Sequence, residues 1–542
     1  MVYSILIIIP RFNPTRFGHI TKADYKYMFP LGLGYISAVL KEAGHDVQCL
    51  NINHFDGTVK EIIDKALDVK KYDYVATGNN AVEYAVTEVI LNVARNHPSH
   101  PKTILGGPII TTEPEIIFES LKPDYGVLGE GERTVVELLD ALEKEKSLKD
   151  VKGIMYRDAE GNTIKTGKRE SIEDLDSLPY PDLEGLGFRE QLDNMHANDS
   201  FYSCIFDKPR IYSLLASRSC PYQCTFCYHD GKYRKRSVKS IMEELRQMVK
   251  RYEINMVFLI DDCFAVDEKR LYEFCDEVKK LRSEISWDLK WICQLRVETV
   301  NKELLRTMKD SGCFMISYGF ESYSPVVLKS MKKFIKPEQI AKAFKMTLDE
   351  RIAVQGNFIF GDVAETKETA KETLDYWKKH GEGQIFLDFI QPYPGSEIYK
   401  HCVKKGLIKD RLEFIKTRFK INDGLNMTDK MTDGELRALR KEVQDASGKY
   451  VKYALPTSVK KTGDKTYSLK VRCPYCKENI FYNNFVITDM WKYSYRSTCK
   501  NCYKRFTIVG PVKKIVYSQY SKIEPMVKMY RKMKRLSDRK TI

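Results

Sequence analysis

Apolar and polar positions change in blocks along the chain, and the blocks predict strands and helices in turn. Ser4–Ile9 is an unbroken apolar run closed by Pro10 and Arg11, the pattern of a strand buried on both faces. It is too short for the apolar core of a signal peptide. Leu31–Ala43, Thr58–Leu67, Val82–Arg95, Glu115–Ser120 and Thr134–Glu145 carry helical periodicity, while Asp46–Leu50, Tyr74–Thr77, Lys102–Leu105 and Tyr125–Leu128 read as strands. This repetition predicts a doubly wound parallel α/β sheet over residues 1–150, with ligands at the carboxyl ends of its strands. Residues 151–208 read as a linker with a hairpin around Gly161-Asn162. A second series, Ile211–Ser217, Met256–Ile260, Lys290–Gln294, Phe314–Phe320, Val354–Phe360 and Ile385–Ile390, again has helices between its strands. Six repeats over 209–408 predict a partial (β/α)6 barrel whose chemistry belongs at the strand C-termini. A helical segment with a linker (409–465), a small cysteine-bearing module (466–512) and a tail (513–542) complete the expected division.

Composition sharpens this picture. At 542 residues, 43% hydrophobic and 30% charged, the chain is long enough for several folded domains. It holds no run of roughly 20 apolar residues, so no membrane-spanning helix is expected. Fourteen Cys without an export signal point to reduced thiols and a cytoplasmic location, where clustered Cys mean metal or catalysis. The net charge of +15 is concentrated after residue 450, where about 22 Lys and Arg face about 5 Asp and Glu. In the tail, Tyr517, Tyr520 and Tyr530 interleave with the basic residues. Such a run suits nucleic acid, an anionic surface or an acidic partner, and equally a solvated helix.

Cys220, Cys224 and Cys227 form C-x3-C-x2-C directly after the first strand of the second series. Three thiolates on one loop can hold three irons of a [4Fe–4S] cluster and leave the fourth open. A zinc knuckle completed by His229 is the alternative. The loop, Ser219-Cys220-Pro221-Tyr222-Gln223-Cys224-Thr225-Phe226-Cys227-Tyr228, closely resembles the signature of radical S-adenosylmethionine (SAM) enzymes. That resemblance implies a SAM molecule chelated by the open iron, with Phe226 packed near its adenine. Further pieces resemble the same family: Phe258-Leu259-Ile260-Asp261-Asp262, Gln294-Leu295-Arg296, Gly319-Phe320-Glu321-Ser322 and Gln391-Pro392-Tyr393-Pro394-Gly395-Ser396. Glu321, Ser322 and Arg296 are the residues it implies for SAM contact. Gly361-Asp362-Val363-Ala364-Glu365-Thr366 departs from the family's G-x-P-x-E-T by lacking the Pro.

Ahead of the barrel, Gly106-Gly107-Pro108 and Gly129-Glu130-Gly131-Glu132 follow predicted strands. In this order the first 150 residues resemble the cobalamin-binding domain of the cobalamin-dependent radical SAM class, which makes Gly106, Gly107, Gly129 and Glu130 candidate cofactor residues. The D-x-H-x-x-G motif that supplies an axial His in methyltransferases is absent; only Gly18-His19 and Asp24 stand nearby, in the wrong order. A domain that binds nothing is the alternative. Cys473, Cys476, Cys499 and Cys502 make C-x2-C…C-x2-C with 22 residues between the pairs, the pattern of a zinc ribbon with four thiolate ligands. A second iron–sulfur cluster fits the same residues less well. Cys49, Cys204, Cys263, Cys275, Cys293, Cys313 and Cys402 read as buried apolar residues, with Cys263 and Cys293 set apart by their place near strand ends.

As the resemblance implies, SAM is cleaved reductively, a 5′-deoxyadenosyl radical takes hydrogen from an unactivated carbon, and cobalamin delivers a methyl group. The electron then comes from a flavodoxin- or ferredoxin-type reductant. Ring formation, rearrangement or oxidation by the same radical is the nearest rival, and a zinc-ribbon nucleic-acid-binding protein is the rival of another class. The RNA methylthiotransferases are disfavoured, because residues 1–150 hold only Cys49 where that group has three more cluster Cys. The ribbon and tail are expected to dock a large or anionic substrate, so that removal at about Thr462 leaves the cluster intact.

Overall fold

The computed structural model describes residues 2–12, 23–264, 266–381, 383–418 and 425–518. The expected Gly18-His19 and most of the basic tail lie outside the described residues. Both alternating series fold as parallel sheets. In the first, Ser4–Ile9 lies between Asp46–Asn51 and Tyr74–Gly78, and Lys102–Gly106 and Tyr125–Val127 continue outward. The apolar run takes a central place, where Ile5, Ile7, Ile8 and Ile9 are fully buried under helices on the two faces. This second–first–third–fourth–fifth order is a doubly wound arrangement with its ligand crevice at the carboxyl ends of the strands. The helices are set locally: Thr58 and Glu61 form a reciprocal capping box at the start of Val59–Val69.

The sheet does not stop at residue 150. Ile154–Arg157 and Thr163–Lys165, expected within a linker, pair antiparallel onto Tyr125–Val127. They cover what would be a bare parallel edge, which is why a hairpin there is recruited to the sheet.

In the second unit, Ile211–Leu214, Met256–Leu259, Lys290–Leu295, Cys313–Glu321, Ala353–Phe360 and Ile385–Phe389 pair in sequence order, all parallel. Helices on the outer face complete the partial barrel. Helix Val238–Tyr252 buries Glu244, whose carboxylate accepts hydrogen bonds from the Tyr212 hydroxyl and the Arg236 guanidinium. A carboxylate only 1% exposed is tolerable there because the charge partner and the hydroxyl both reach it.

The cysteine-bearing module forms two small sheets. Ser458–Lys461, Thr466–Arg472 and Asn479–Val486 make one; Tyr453–Ala454, Ser494–Thr498 and Arg505–Val509 make the other. The expected linker at 455–465 therefore supplies a strand of the module. The module sits across the N-terminal mouth of the barrel, at the end away from the loop that carries Cys220. Arg505, almost fully buried, donates to the Gln384 carbonyl and stacks on Phe386 at 4.5 Å and on Phe201 at 5.1 Å. Its backbone N–H and carbonyl pair with the Gln384 side chain at 2.8 and 3.0 Å. Tyr503 meets Phe314 at the start of the fourth strand, and Thr498 is held by Cys204 and Phe201. Excision at Thr462 would uncover Phe201, Phe314 and Phe386 at the barrel's base, so the ribbon is packed as part of the barrel, while most of the basic tail expected to dock substrate lies outside the described residues. No helix among the described residues is long and apolar enough to cross a membrane.

The buried network yields a stability prediction. Glu244→Ala leaves the buried Arg236 cation without its counter-charge and should cost about 3–5 kcal/mol of barrel stability in urea unfolding, with Glu244→Gln losing less.

Candidate active site

The loop with Cys220, Cys224 and Cys227 rises from a two-residue bridge in which Ser217–Arg218 pairs antiparallel with Arg234–Lys235. Arg218 and Arg234 are cross-strand partners, and both reach into the first unit. Arg218 Nη1 meets Glu130 Oε1 at 3.0 Å and its Nη2 meets Glu132 Oε1 at 2.5 Å, while Arg234 Nη1 meets Glu130 at 2.8 Å. Glu130 Oε2 also accepts the Ile172 N–H at 2.7 Å. Burial opposes the charge on Arg218, but the two carboxylates outweigh it and hold the guanidinium protonated. Glu130, expected among the cofactor residues, is thus committed to clamping the loop to the first unit and does not line the cavity described next. Gly129 lies beside it, at φ +73°, with its N–H donated to the Thr111 hydroxyl.

The tip of the loop is stitched elsewhere. Cys227 N–H donates to the Cys224 carbonyl at 3.1 Å, closing a turn. Thr225 donates to the Met331 carbonyl at 3.1 Å and accepts from Ile398 N–H at 2.9 Å. The thiols open into a cavity of about 470 Å³ between the carboxyl ends of the two sheets. Its floor is Cys220, Cys224, Cys227 and Phe226; its opposite wall is Asn80, Ala81, Pro108 and Thr112 from the first unit. Gly106 and Gly107 stand just behind that wall. Gly107 turns at φ +85° against Asn79, where a Cβ would come within 2.9 Å of backbone. Gly395, at φ +87°, lets the sixth-strand loop pass between Tyr228 and Thr112, which a Cβ would contact at 2.6 and 3.1 Å.

Three barrel strands add polar groups. Asp262 and Cys263 follow the second strand, Gln294 and Arg296 end the third, and Glu321 ends the fourth. Cys263 hydrogen-bonds Cys220 and lowers its thiol below the ordinary range, whereas burial raises Cys224 and Cys227. Both ring nitrogens of His229, also lining the cavity, are buried without a hydrogen-bond partner. Glu321 adopts φ +60° and pairs with Lys333 at 3.0 Å. Burial works against the Lys333 ammonium, and the Glu321 carboxylate together with Cys224 more than offsets it. Arg296 stacks on Tyr222 at 3.7 Å and donates to the Lys333 carbonyl at 2.6 Å.

Not every expected residue comes to the cavity. Ser322 turns away, its hydroxyl bonded to that of Thr373 at 3.0 Å. Cys293 is buried inside the barrel and does not reach the cavity, while Cys263 does. Glu365 accepts from Gly361 N–H and the Thr369 hydroxyl, and Thr366 caps helix Lys367–His380, so this loop is locally self-satisfied without the family's Pro. Lys333 was missing from the expected set because it sits in a basic run. The signal was there: Met331, Lys333, Ile335 and Pro337 are buried while Phe334 and Lys336 face out, a period-two alternation.

The four cysteines of the ribbon gather more tightly. Cys473 and Cys502 Sγ stand 3.9 Å apart, Cys476 and Cys499 Sγ 3.8 Å, and all four lie within 4.8 Å of one another.

Comparison with known proteins agrees with this geometry. Residues 20–139 match the B12 binding domain and residues 214–377 the Radical SAM superfamily. A protein of Pyrococcus horikoshii described as an uncharacterized methyltransferase is 29% identical over 388 residues, 70% of this chain and 79% of that protein. The anaerobic magnesium-protoporphyrin IX monomethyl ester cyclase of Rubrivivax gelatinosus is 26% identical over 390 residues, 69% of this chain and 66% of the cyclase. Among solved structures, the radical SAM methyltransferase TsrM from Kitasatospora setae, with cobalamin and a [4Fe–4S] cluster bound, superposes with a TM-score of 0.59 at 15% identity, covering 74% of this chain and 76% of TsrM. With three cysteines at the mouth of a six-stranded parallel barrel and a doubly wound domain facing them, the chain belongs to the radical SAM superfamily, in the class that carries a B12-binding domain ahead of its barrel.

Proposed function

We propose that the chain is a cobalamin-dependent radical SAM methyltransferase acting on an unactivated carbon. The observation that carries this reading is the single cavity walled on one side by the cluster-type thiols and on the other by the B12-binding domain. Both donor sets suit their groups: three thiols on one loop leave one iron of a cubane free, and the uncharged wall of Asn80, Ala81, Pro108 and Thr112 suits a flat macrocycle. When bound, these groups supply hydrogen abstraction from carbon and a transferable methyl. The chain's own residues orient and shield. Phe226 offers an apolar face to the adenine, Lys333 holds the Glu321 carboxylate in one rotamer, and Arg296 fixes Tyr222 over the loop. The missing D-x-H-x-x-G motif supports cobalamin held without a His ligand from that motif. The two groups of metal-type cysteines suit the reducing environment of a cytoplasmic protein.

We assign zinc to Cys473, Cys476, Cys499 and Cys502. Four thiolates about 2.3 Å from a tetrahedral ion stand about 3.8 Å apart, close to the observed separations. Backbone N–H groups of Tyr475 and Asn501 donate to Cys473 and Cys499, which favours thiolate. The site is closed and structural. It stiffens the plug at the base of the barrel.

Three outcomes test these assignments. Cys224→Ala should lose cluster iron and bring dithionite-driven 5′-deoxyadenosine to background; full cleavage by this variant contradicts the reading. Arg218→Gln removes the loop's tie to Glu132 and one of its two ties to Glu130, so deoxyadenosine should persist while methylated product per deoxyadenosine falls about 10- to 100-fold. Product mass separates methyl transfer from the ring-forming chemistry of the cyclase relative. Finally, purified protein should carry one zinc per chain, and Cys499→Ser should lose it and lower the melting temperature without abolishing the cluster's visible absorption at low temperature.

A further inference from the structure

An electron must reach the cluster from outside, and the fold restricts where a carrier protein can approach. The B12-binding domain stands over the strand ends, and the ribbon closes the opposite mouth of the barrel. Beside the cysteine loop, however, the segment after helix Pro325–Ser330 turns Phe334 and Lys336 outward. Its Met331 carbonyl accepts the N–H of Thr225, which lies between Cys224 and Cys227, and its Lys333 carbonyl accepts from Arg296, which stacks on Tyr222 of the same loop. The loop's own Pro221 and Gln223 are exposed alongside. Backbone hydrogen bonding therefore ties this segment directly to the cysteine loop.

The surface has an unusual make-up. Phe334 is 73% exposed and sits at φ +52°, a conformation that a bulky residue rarely adopts, and Lys332 adopts φ +54°. Val326, 58% exposed, adds a second apolar contact. Lys329 and Lys336 are exposed beside them, and Lys332 is partly exposed in a surface pair with Glu397. A concavity of about 300 Å³ lies between Pro325, Phe334, Ile335 and Pro337. Lys329 and Lys336 also line it and outnumber the one carboxylate there, Glu338, so this apolar centre with a net basic rim is complementary to an acidic protein with an exposed aromatic edge.

We infer that this face is the docking surface for an acidic flavodoxin-type electron carrier; the inference rests on the radical SAM reading above. The step is a one-electron transfer. The anionic flavin hydroquinone loses one electron and becomes the neutral semiquinone, and the cluster gains it, passing from 2+ to 1+. Thr225, Met331 and the Cys224 thiolate provide the bonded path between the two.

The test compares two electron sources on the full-length, anaerobically reconstituted protein. Wild type, Lys329→Glu/Lys336→Glu and, separately, Phe334→Ala are assayed for 5′-deoxyadenosine with reduced flavodoxin and with dithionite. With limiting flavodoxin the charge-reversed protein should be about tenfold slower and lose the salt dependence of the wild type. The Phe334→Ala protein should need more carrier for the same rate. Both variants should match wild type with dithionite. Equal flavodoxin-driven rates in all three proteins would overturn the inference, as would an equal loss with dithionite, which would mark a defect in the site itself. A loss seen with an acidic ferredoxin and not with flavodoxin would overturn the choice of carrier. A wild type that makes no deoxyadenosine with dithionite would instead overturn the underlying reading.

Discussion

Two sheets can share one site only if their carboxyl ends stay opposed, and everything functional in this chain depends on that opposition. Apolar packing holds it on both flanks. Ile9, Phe29 and Tyr35 pack in one core with Phe188 and Tyr212, and Leu105, Ile109 and Ile110 pack in another with Met331, Ile390 and Ile398. Between these flanks the interface turns polar. There Arg218 and Arg234 share Glu130, and Arg218 also takes Glu132. Apolar clusters set the separation of the domains, but they are non-directional. The charge-assisted hydrogen bonds add direction, because a forked guanidinium fixes the loop that begins two residues later at Cys220.

The barrel is incomplete, and the ribbon answers that. Six parallel strands leave a lumen that is covered at the top by the B12-binding domain and must be filled below. The chain fills it with Arg505, Phe201 and Phe386, held by paired sheets around four cysteines. A module this small has too little core to define itself, which gives a metal its role in the architecture. Arg496 and Arg505 stack on Phe386 within this plug, at 3.9 and 4.5 Å.

Much of the fold was legible in periodicity. Strand–helix alternation located both parallel sheets, and the cysteine spacings picked out both clusters of thiols, because ligand geometry constrains spacing strongly. What periodicity could not show was tertiary choice. Ile154–Arg157 reads as a linker hairpin until the bare edge of Tyr125–Val127 is known. Glu130 follows a strand in a glycine-rich turn, as a cofactor residue would, yet its partners lie in a loop some ninety residues away. Ser322 and Glu321 are adjacent, and the left-handed backbone at Glu321 sends one into the cavity and the other into the helix layer. Lys333 was hidden by its neighbours: a lysine run reads as solvated surface, and only burial of every second residue shows that this one points inward.

The central claim is that one cavity holds both cofactors at once, and magnetic resonance can address it directly. The full-length protein would be reconstituted with iron, sulfide and cobalamin, then reduced so that the cluster and cob(II)alamin are both paramagnetic. Opposed across a single cavity, their spins should interact, broadening the cob(II)alamin spectrum and speeding its relaxation relative to protein whose cluster is left oxidised. Two unperturbed, superimposed spectra at full occupancy of both groups would contradict the account.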